Sequence, residues 1–114
     1  KQKIFQIADQ FSKLTYNQST CQKAKELINQ FGDHQKWYHD AEVQLKEQQS
    51  NAEVAMASAI NLKDKGVAKA GDFVSLYCFA ASKRALAIYE LQQNWIYFKI
   101  AEFTTDQFKQ LCSK

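Results

Sequence analysis

Proline is absent from this 114-residue chain, and glycine occurs only three times. A β-sandwich or β-barrel with many tight turns needs more of both residues, and so does a glycine-rich nucleotide-binding fold. A large excess of one charge is also missing, because 15 basic residues face 12 acidic ones and the net charge is +3. That balance argues against a dedicated nucleic-acid-binding protein, and no apolar run approaches the roughly 18 residues of a membrane-spanning helix. These absences leave an all-α protein with few connections, no nucleic-acid partner and no membrane span.

Histidine is scarce as well, since the chain has only His34 and His39. Their spacing of five residues puts them on different faces of a helix. No Ser/His/Asp or Cys/His set can be assembled, so we expect a protein that is not an enzyme and that holds no cofactor. A weaker alternative is a metal-sensing helical domain. In it His39 and Glu42, one helical turn apart, would need at least one further ligand from elsewhere.

Apolar residues recur at three- and four-residue steps along most of the chain, which is the spacing of amphipathic helices. The pattern predicts a short helix over 2–13, a second helix over 16–31, and two long helices over 33–65 and 73–102. The sequence therefore predicts a single all-α domain over residues 1–114. We expect an elongated helical hairpin of two long helices with shorter flanking helices.

Glycine and aspartate mark the expected helix boundaries. We expect Gly32 to end the second helix in a left-handed cap and Asp33 to cap the first long helix. Gly66 and Gly71 bracket the connection to the second long helix, and Asp72 is its expected cap.

Two segments have the pattern of a capping box, in which Thr caps a helix and a Gln three residues later bonds back to the cap amide. The segments are Leu14-Thr15-Tyr16-Asn17-Gln18 and Phe103-Thr104-Thr105-Asp106-Gln107. A new helix is expected to start at each box. In the second box Phe103 could also pack on Phe108 as a hydrophobic staple.

The three cysteines have neither the spacing of a zinc site nor a Cys-x-x-Cys pair. Cys78 lies in the apolar stretch Leu76-Tyr77-Cys78-Phe79-Ala80 and is expected to be a small core residue. Cys21 and Cys112 could form one bridge in an oxidising compartment, or could both remain free thiols.

Aromatic and basic residues of the second long helix form the best candidate for a partner-binding face. Helical spacing places most of the aromatic residues in the core, and the exposed remainder lies beside basic side chains. Such a face suits unfolded or acidic polypeptides, because the positive charges attract them before apolar contact forms. The predicted face consists of Tyr77, Phe79, Lys83, Arg84, Tyr89, Tyr97 and Lys99.

The two Leu/Phe-Thr-x-x-Gln boxes, one before and one after a long helical hairpin, resemble the Spy/CpxP family of periplasmic all-α stress proteins. The resemblance covers roughly residues 14–112, and Gln93-Asn94-Trp95-Ile96-Tyr97 before the second box is also similar to the family. In that family the two boxes lie near each other. The resemblance therefore implies that Cys21 and Cys112 are close and bridged.

The same resemblance implies a function. It suggests a non-enzymatic polypeptide-binding protein of the cell envelope, either an ATP-independent chaperone or an adaptor in stress signalling. The chain begins with Lys rather than Met. A removed signal peptide would explain this and would place the protein in the periplasm or outside the cell. Trimming of the sequence would explain it equally. The alternative is a helical structural or assembly subunit of a secretion or surface apparatus that binds one fixed partner. A homodimer is a further expectation, because an elongated helical layer leaves apolar surface uncovered.

Overall fold

The computed structural model describes residues 2–113, and no strand occurs among them. The α-helices are α1 (Gln2–Ser12), α2 (Cys21–Asp64) and α3 (Ala70–Cys112), and a short 3-10 helix (Gln18–Thr20) precedes α2. With 44 and 43 residues, α2 and α3 are both far longer than an ordinary globular helix. The predicted all-α fold with two long helices is therefore confirmed.

A seven-residue repeat of buried residues explains why α2 and α3 are so long. On α2 the repeat consists of Ala24, Phe31, Tyr38, Leu45, Ala52 and Ala59. On α3 it consists of Ala80, Ala87, Asn94, Ala101 and Phe108. A seven-residue period keeps one face of a helix turned to a neighbouring helix, as in a coiled coil. Burial along this face therefore stabilises each helix along its length, including at residues that locally favour a helix end.

The predicted boundary at Gly32 and Asp33 is wrong, because both residues lie inside α2. Gly32 is exposed, and an interior glycine costs a helix about 1 kcal/mol. The flanking repeat residues Phe31 and Tyr38 are almost fully buried. Burial of each stabilises the helix by roughly 1.5–3 kcal/mol, which exceeds the cost of the glycine.

Contacts divide the chain into two compact units, which we call the terminal unit (residues 2–42 and 92–113) and the central unit (residues 43–91). The terminal unit contains α1, as predicted from residues 2–13. Its core is rich in aromatic and aliphatic side chains, and the Tyr38 and Phe98 rings stack at 4.1 Å. The core consists of Ile4, Ile7, Phe11, Ala24, Leu27, Phe31, Tyr38, Phe98, Ala101 and Phe108.

The central unit is a helical hairpin with a core of small side chains. Its buried apolar residues are Leu45, Ala52, Ala59, Ala80 and Ala87. Because helix separation depends on the side chains at the contact, alanines let the two helices approach closely. Gly66 closes α2 with a φ of 68°, the left-handed conformation that favours glycine.

The start of α3 differs from the prediction by a few residues. The helix begins at Ala70, so Gly71 and Asp72 lie within its first turn. Asp72 is therefore not the cap, although its negative charge is still favourable beside the positive end of the helix dipole.

A disulfide joins Cys21, the first residue of α2, to Cys112, the last residue of α3. Their Cα atoms lie 5.7 Å apart although the residues are 91 positions apart in the sequence. Beside the bridge, the Gln18 side-chain amide donates a hydrogen bond of 2.8 Å to the Leu111 carbonyl. The bridge implied by the family resemblance is thus confirmed. The prediction for Cys78 is wrong, because this thiol is free and exposed.

Neither predicted capping box starts an α-helix, although the 3-10 helix begins at Gln18, the last residue of the first box. In the first, α2 begins only at Cys21, and the Thr15 carbonyl accepts a hydrogen bond of 2.7 Å from the Thr20 hydroxyl. In the second, α3 continues to Cys112, and the Thr104 hydroxyl donates to the Ile100 carbonyl one turn back, at 2.7 Å.

The staple expected at the second box is also absent from the described residues. Phe103 is 63% exposed whereas Phe108 is fully buried, so the two rings point to different environments. The helix continues here because Ala101, Thr105 and Phe108 extend its buried face.

Candidate partner-binding site

An open apolar groove runs along one side of the central unit, between the second half of α2 and the first half of α3. Its volume is about 860 Å³. The α2 wall and the α3 wall both follow alternating three- and four-residue steps, so each is a continuous stripe on its helix. The α2 wall consists of Gln48, Asn51, Ala55, Ser58 and Leu62, and the α3 wall consists of Leu76, Phe79, Lys83, Leu86 and Glu90. The buried alanines of the hairpin form the floor. We call this feature the central groove.

Large apolar side chains are unusually exposed along the α3 wall. Leu76, Phe79 and Leu86 are 51%, 64% and 63% exposed. Burying a Leu or Phe side chain contributes roughly 1.5–3 kcal/mol, so these residues gain by contact with another surface. The Lys83 ammonium lies 4.5 Å from the centre of the Phe79 ring, close enough for a cation–π interaction. The groove thus combines apolar surface with a positive charge, Lys83, at the middle of its α3 wall and a negative charge, Glu90, at one end of that wall.

Of the predicted partner-binding face, the structure brings only Phe79 and Lys83 into the central groove. Tyr89 is exposed but does not line the groove. Tyr77 is half-buried, with its ring 5.6 Å from that of Phe73.

The other two charged members of the predicted face, Arg84 and Lys99, have partners outside the groove. Arg84 Nε lies 3.1 Å from Glu53 Oε2, and Lys99 Nζ lies 3.1 Å from Glu102 Oε1. Both pairs are largely exposed, and exposed ion pairs contribute little to stability. Tyr97 belongs to the terminal unit, where its ring packs edge-on against that of Phe5 at 4.8 Å. The predicted face therefore mixes two surfaces, because the prediction grouped residues by type rather than by their place in the seven-residue repeat.

The α2 wall was not predicted as part of a binding face. Apart from Leu62 at one end, its residues are small or polar, with Asn51, Ala55 and Ser58 at the middle. The run of small residues at 55, 57, 58 and 59 was visible in the sequence as a place where another helix could approach closely. Ala59 indeed packs inside the hairpin, while Ala55 and Ser58 are exposed and face the groove.

In the terminal unit the first box contacts the part of α3 that directly follows the second box, although neither box acts as a cap. The Tyr16 ring of the first box stacks on Phe108, just after the second box, with 4.7 Å between the ring centres. The Gln18 side-chain amide donates its hydrogen bond to the Leu111 carbonyl, one turn further along α3. These contacts and the disulfide tie the start of α2 to the end of α3.

The phenol of Tyr38 has a raised pKa. Burial, reinforced by the negative charge of Glu42 and a hydrogen bond of 3.4 Å to its carboxylate, raises the pKa of Tyr38 to about 12. Desolvation and a neighbouring anion both disfavour the phenolate, which explains the direction. The phenol therefore stays neutral throughout the physiological range.

The described residues offer little support for a metal site. His39 lies beside the rings of Tyr38 and Phe98, at 5.3 and 5.9 Å between ring centres. Within residues 2–113, no three or more His, Cys, Asp or Glu side chains are grouped so that they could hold a metal ion. Nor does any helix in that part of the chain combine the length and apolar character that crossing a bilayer requires.

Comparison with known proteins adds no relative: no family model, no curated protein and no solved structure matches this chain.

Proposed function

We propose that this chain is a non-enzymatic polypeptide-binding protein and that the central groove is its binding surface. The observation that carries the proposal is the exposure of Leu76, Phe79 and Leu86 along a groove with an alanine floor. An amphipathic or unfolded segment can lay apolar side chains into such a groove. Lys83 adds a positive charge that attracts acidic segments.

The proposed setting is the cell envelope, where the protein would act as an ATP-independent chaperone or a stress-signalling adaptor, as the Spy/CpxP resemblance suggests. The Cys21–Cys112 bridge supports this setting, since such bridges persist in oxidising compartments. Mass spectrometry of native material after alkylation tests it. One blocked thiol, at Cys78, together with one bridge is the expected result, and three blocked thiols would contradict the proposed compartment.

Suppression of client aggregation tests the binding function. Light scattering from a chemically denatured client is followed in the absence of nucleotide, with the protein at stoichiometric concentration. We expect suppression by the unmodified protein, and the complete lack of it would refute the proposed function.

A matched pair of variants then locates the surface. Phe79→Ser removes an exposed ring inside the groove, whereas Tyr89→Ser removes a similarly exposed ring outside it. Loss of one buried Phe contact corresponds to roughly tenfold weaker binding or more. We expect that loss for Phe79→Ser alone; an equal loss in both variants would place the binding surface elsewhere.

A second candidate function is a structural or assembly subunit that binds one fixed partner. It is favoured by the exposed apolar residues of α3 within the terminal unit, which are Trp95, Ile96, Ile100 and Phe103. Exposed patches of this kind mark interaction surfaces. Several unrelated denatured clients separate the two candidates, because a fixed-partner subunit would not suppress the aggregation of all of them.

A further inference from the structure

The side chains of the α3 wall of the central groove are larger than those at the middle of its α2 wall. The α3 wall projects Leu76, Phe79 and Leu86, whereas the middle of the α2 wall carries only Asn51, Ala55 and Ser58. One surface therefore carries both protrusions and hollows. Such a surface can be complementary to itself, which is the requirement for a two-fold dimer interface.

We propose that the central groove is closed by the central groove of a second copy of this chain, forming a four-helix bundle. The Arg84–Glu53 ion pair fixes which levels of the two helices lie side by side. By that register Phe79 lies near the level of Ser58, and Leu86 lies near the level of Asn51. A two-fold axis parallel to the helices keeps these levels and sets each α3 wall against the α2 wall of the other copy. Phe79 and Leu86 of each copy then enter the hollows at Ser58 and Asn51 of the other, and Leu76 comes near the level of Leu62.

Polar groups support the same arrangement. Lys83 comes near the level of the other copy's Asn51 and Ala55, where the Asn51 amide oxygen can accept from its ammonium. Glu90 comes near the level of Gln48, whose amide can donate to the carboxylate. A two-fold axis perpendicular to the helices would instead set α3 against α3 and α2 against α2, so that large side chains meet large ones and the small α2 residues face one another with no protrusion between them.

The size of the surface indicates a reversible dimer. The groove is lined by 15 residues in each copy, fewer than the roughly 20–30 residues a side of a standard stable interface. Because the dimer covers the surface that the proposed function uses, clients and the second copy compete for it; this part of the inference rests on the proposed function. Client binding then weakens as the protein concentration rises.

Sedimentation velocity over a range of micromolar concentrations tests the dimer, with Cys78 alkylated to prevent bridges between copies. We expect a concentration-dependent monomer–dimer equilibrium. Ala55→Arg fills the hollow of the α2 wall and is expected to weaken dimerisation at least about tenfold. Val54→Arg places the same side chain on the neighbouring exposed position, outside the groove, and is expected to leave the equilibrium unchanged.

Circular dichroism establishes that both variants remain helical, and Leu86→Ser provides a second groove variant that removes a protrusion instead of filling a hollow. A monomer at every concentration, or a dimer that neither groove variant weakens, would overturn the inference. Client suppression by a strictly monomeric protein would leave the proposed function standing. A dimer that does not suppress client aggregation would support the dimer inference and refute the proposed function.

Discussion

Gly66 and Gly32 show how differently one residue type acts at the end and in the interior of α2. Gly66 ends α2 with a positive φ of 68°, which L side chains rarely adopt. Gly32 lies inside α2, and a Cβ added there would meet no atom within 4 Å. The sequence alone does not distinguish these roles, since both glycines follow an apolar helical pattern.

Alanine substitutions at the two glycines are predicted to have opposite effects on stability. Gly32→Ala should raise the free energy of unfolding by about 0.5–1 kcal/mol, because alanine favours the helix. Gly66→Ala should lower it by about 1 kcal/mol or more, because the left-handed conformation strains a side chain. Urea unfolding measures both, and destabilisation by Gly32→Ala would mean that α2 is not continuous there.

The raised pKa of Tyr38 predicts that the free energy of unfolding falls at high pH. The folded chain holds the phenolic proton more tightly than the unfolded chain, since the pKa rises from 10.0 to about 12. The unfolded state therefore loses its proton first, and stability falls as the pH rises from about 10 to about 12, by an amount on the order of 2 kcal/mol. Equilibrium unfolding at a series of pH values, with Cys78 alkylated, measures how steeply the free energy of unfolding falls with pH. Tyr38→Phe should flatten it, and an equal slope in that variant would assign the effect to other groups.

At the scale of the helix, Thr104 separates two descriptions of α3. If Thr104 were a helix cap, its substitution by alanine would lower the free energy of unfolding by about 1 kcal/mol. In the structure Thr104 lies within the helix and its hydroxyl bonds to the Ile100 carbonyl, a contact that does not favour the helix.

Thr104→Ala is therefore predicted to leave stability unchanged or to raise it by up to roughly 0.7 kcal/mol. Thermal and urea unfolding provide the measurement. A loss near 1 kcal/mol would show that a helix begins at Thr104 after all.

The helices themselves could be predicted, but not their continuity. Periodicity located α1 and both long helices, because apolar spacing reflects burial directly. Gly32 and Thr104 suggested interruptions inside α2 and α3 because each favours a helix end in isolation. In the folded chain the buried seven-residue repeat outweighs these local preferences. Recognising that Phe31, Tyr38, Leu45 and Ala52 follow one another at intervals of seven residues would have shown this.

The binding site could be predicted only in part for the same reason. Phe79 and Lys83 were identified from their residue types. Ala55 and Asn51 have no distinctive chemistry, and their role follows only from facing the same groove.

For the whole chain, the Cys21–Cys112 bridge is the main restraint on the unfolded state. Closing a loop of about 90 residues stabilises a protein by roughly 4–5 kcal/mol in the chain-entropy account. Replacing both cysteines by serine should lower the free energy of unfolding by about that amount. Cys78→Ser is the control and should change it little, because that thiol is exposed and free. Equal stability with and without the bridge would mean that the ends of α2 and α3 stay together even in the unfolded chain.

The same bridge also decides how the protein would respond to mechanical force. Tension applied at residues 2 and 113 would pass from α1 through residues 13–20 to Cys21, and then across the sulfur atoms to Cys112. Nearly all of α2 and α3 lies inside the covalent loop and would bear no load. Pulling could therefore peel α1 away while both long helices stayed folded, and only a reducing agent would let the rest of the chain extend.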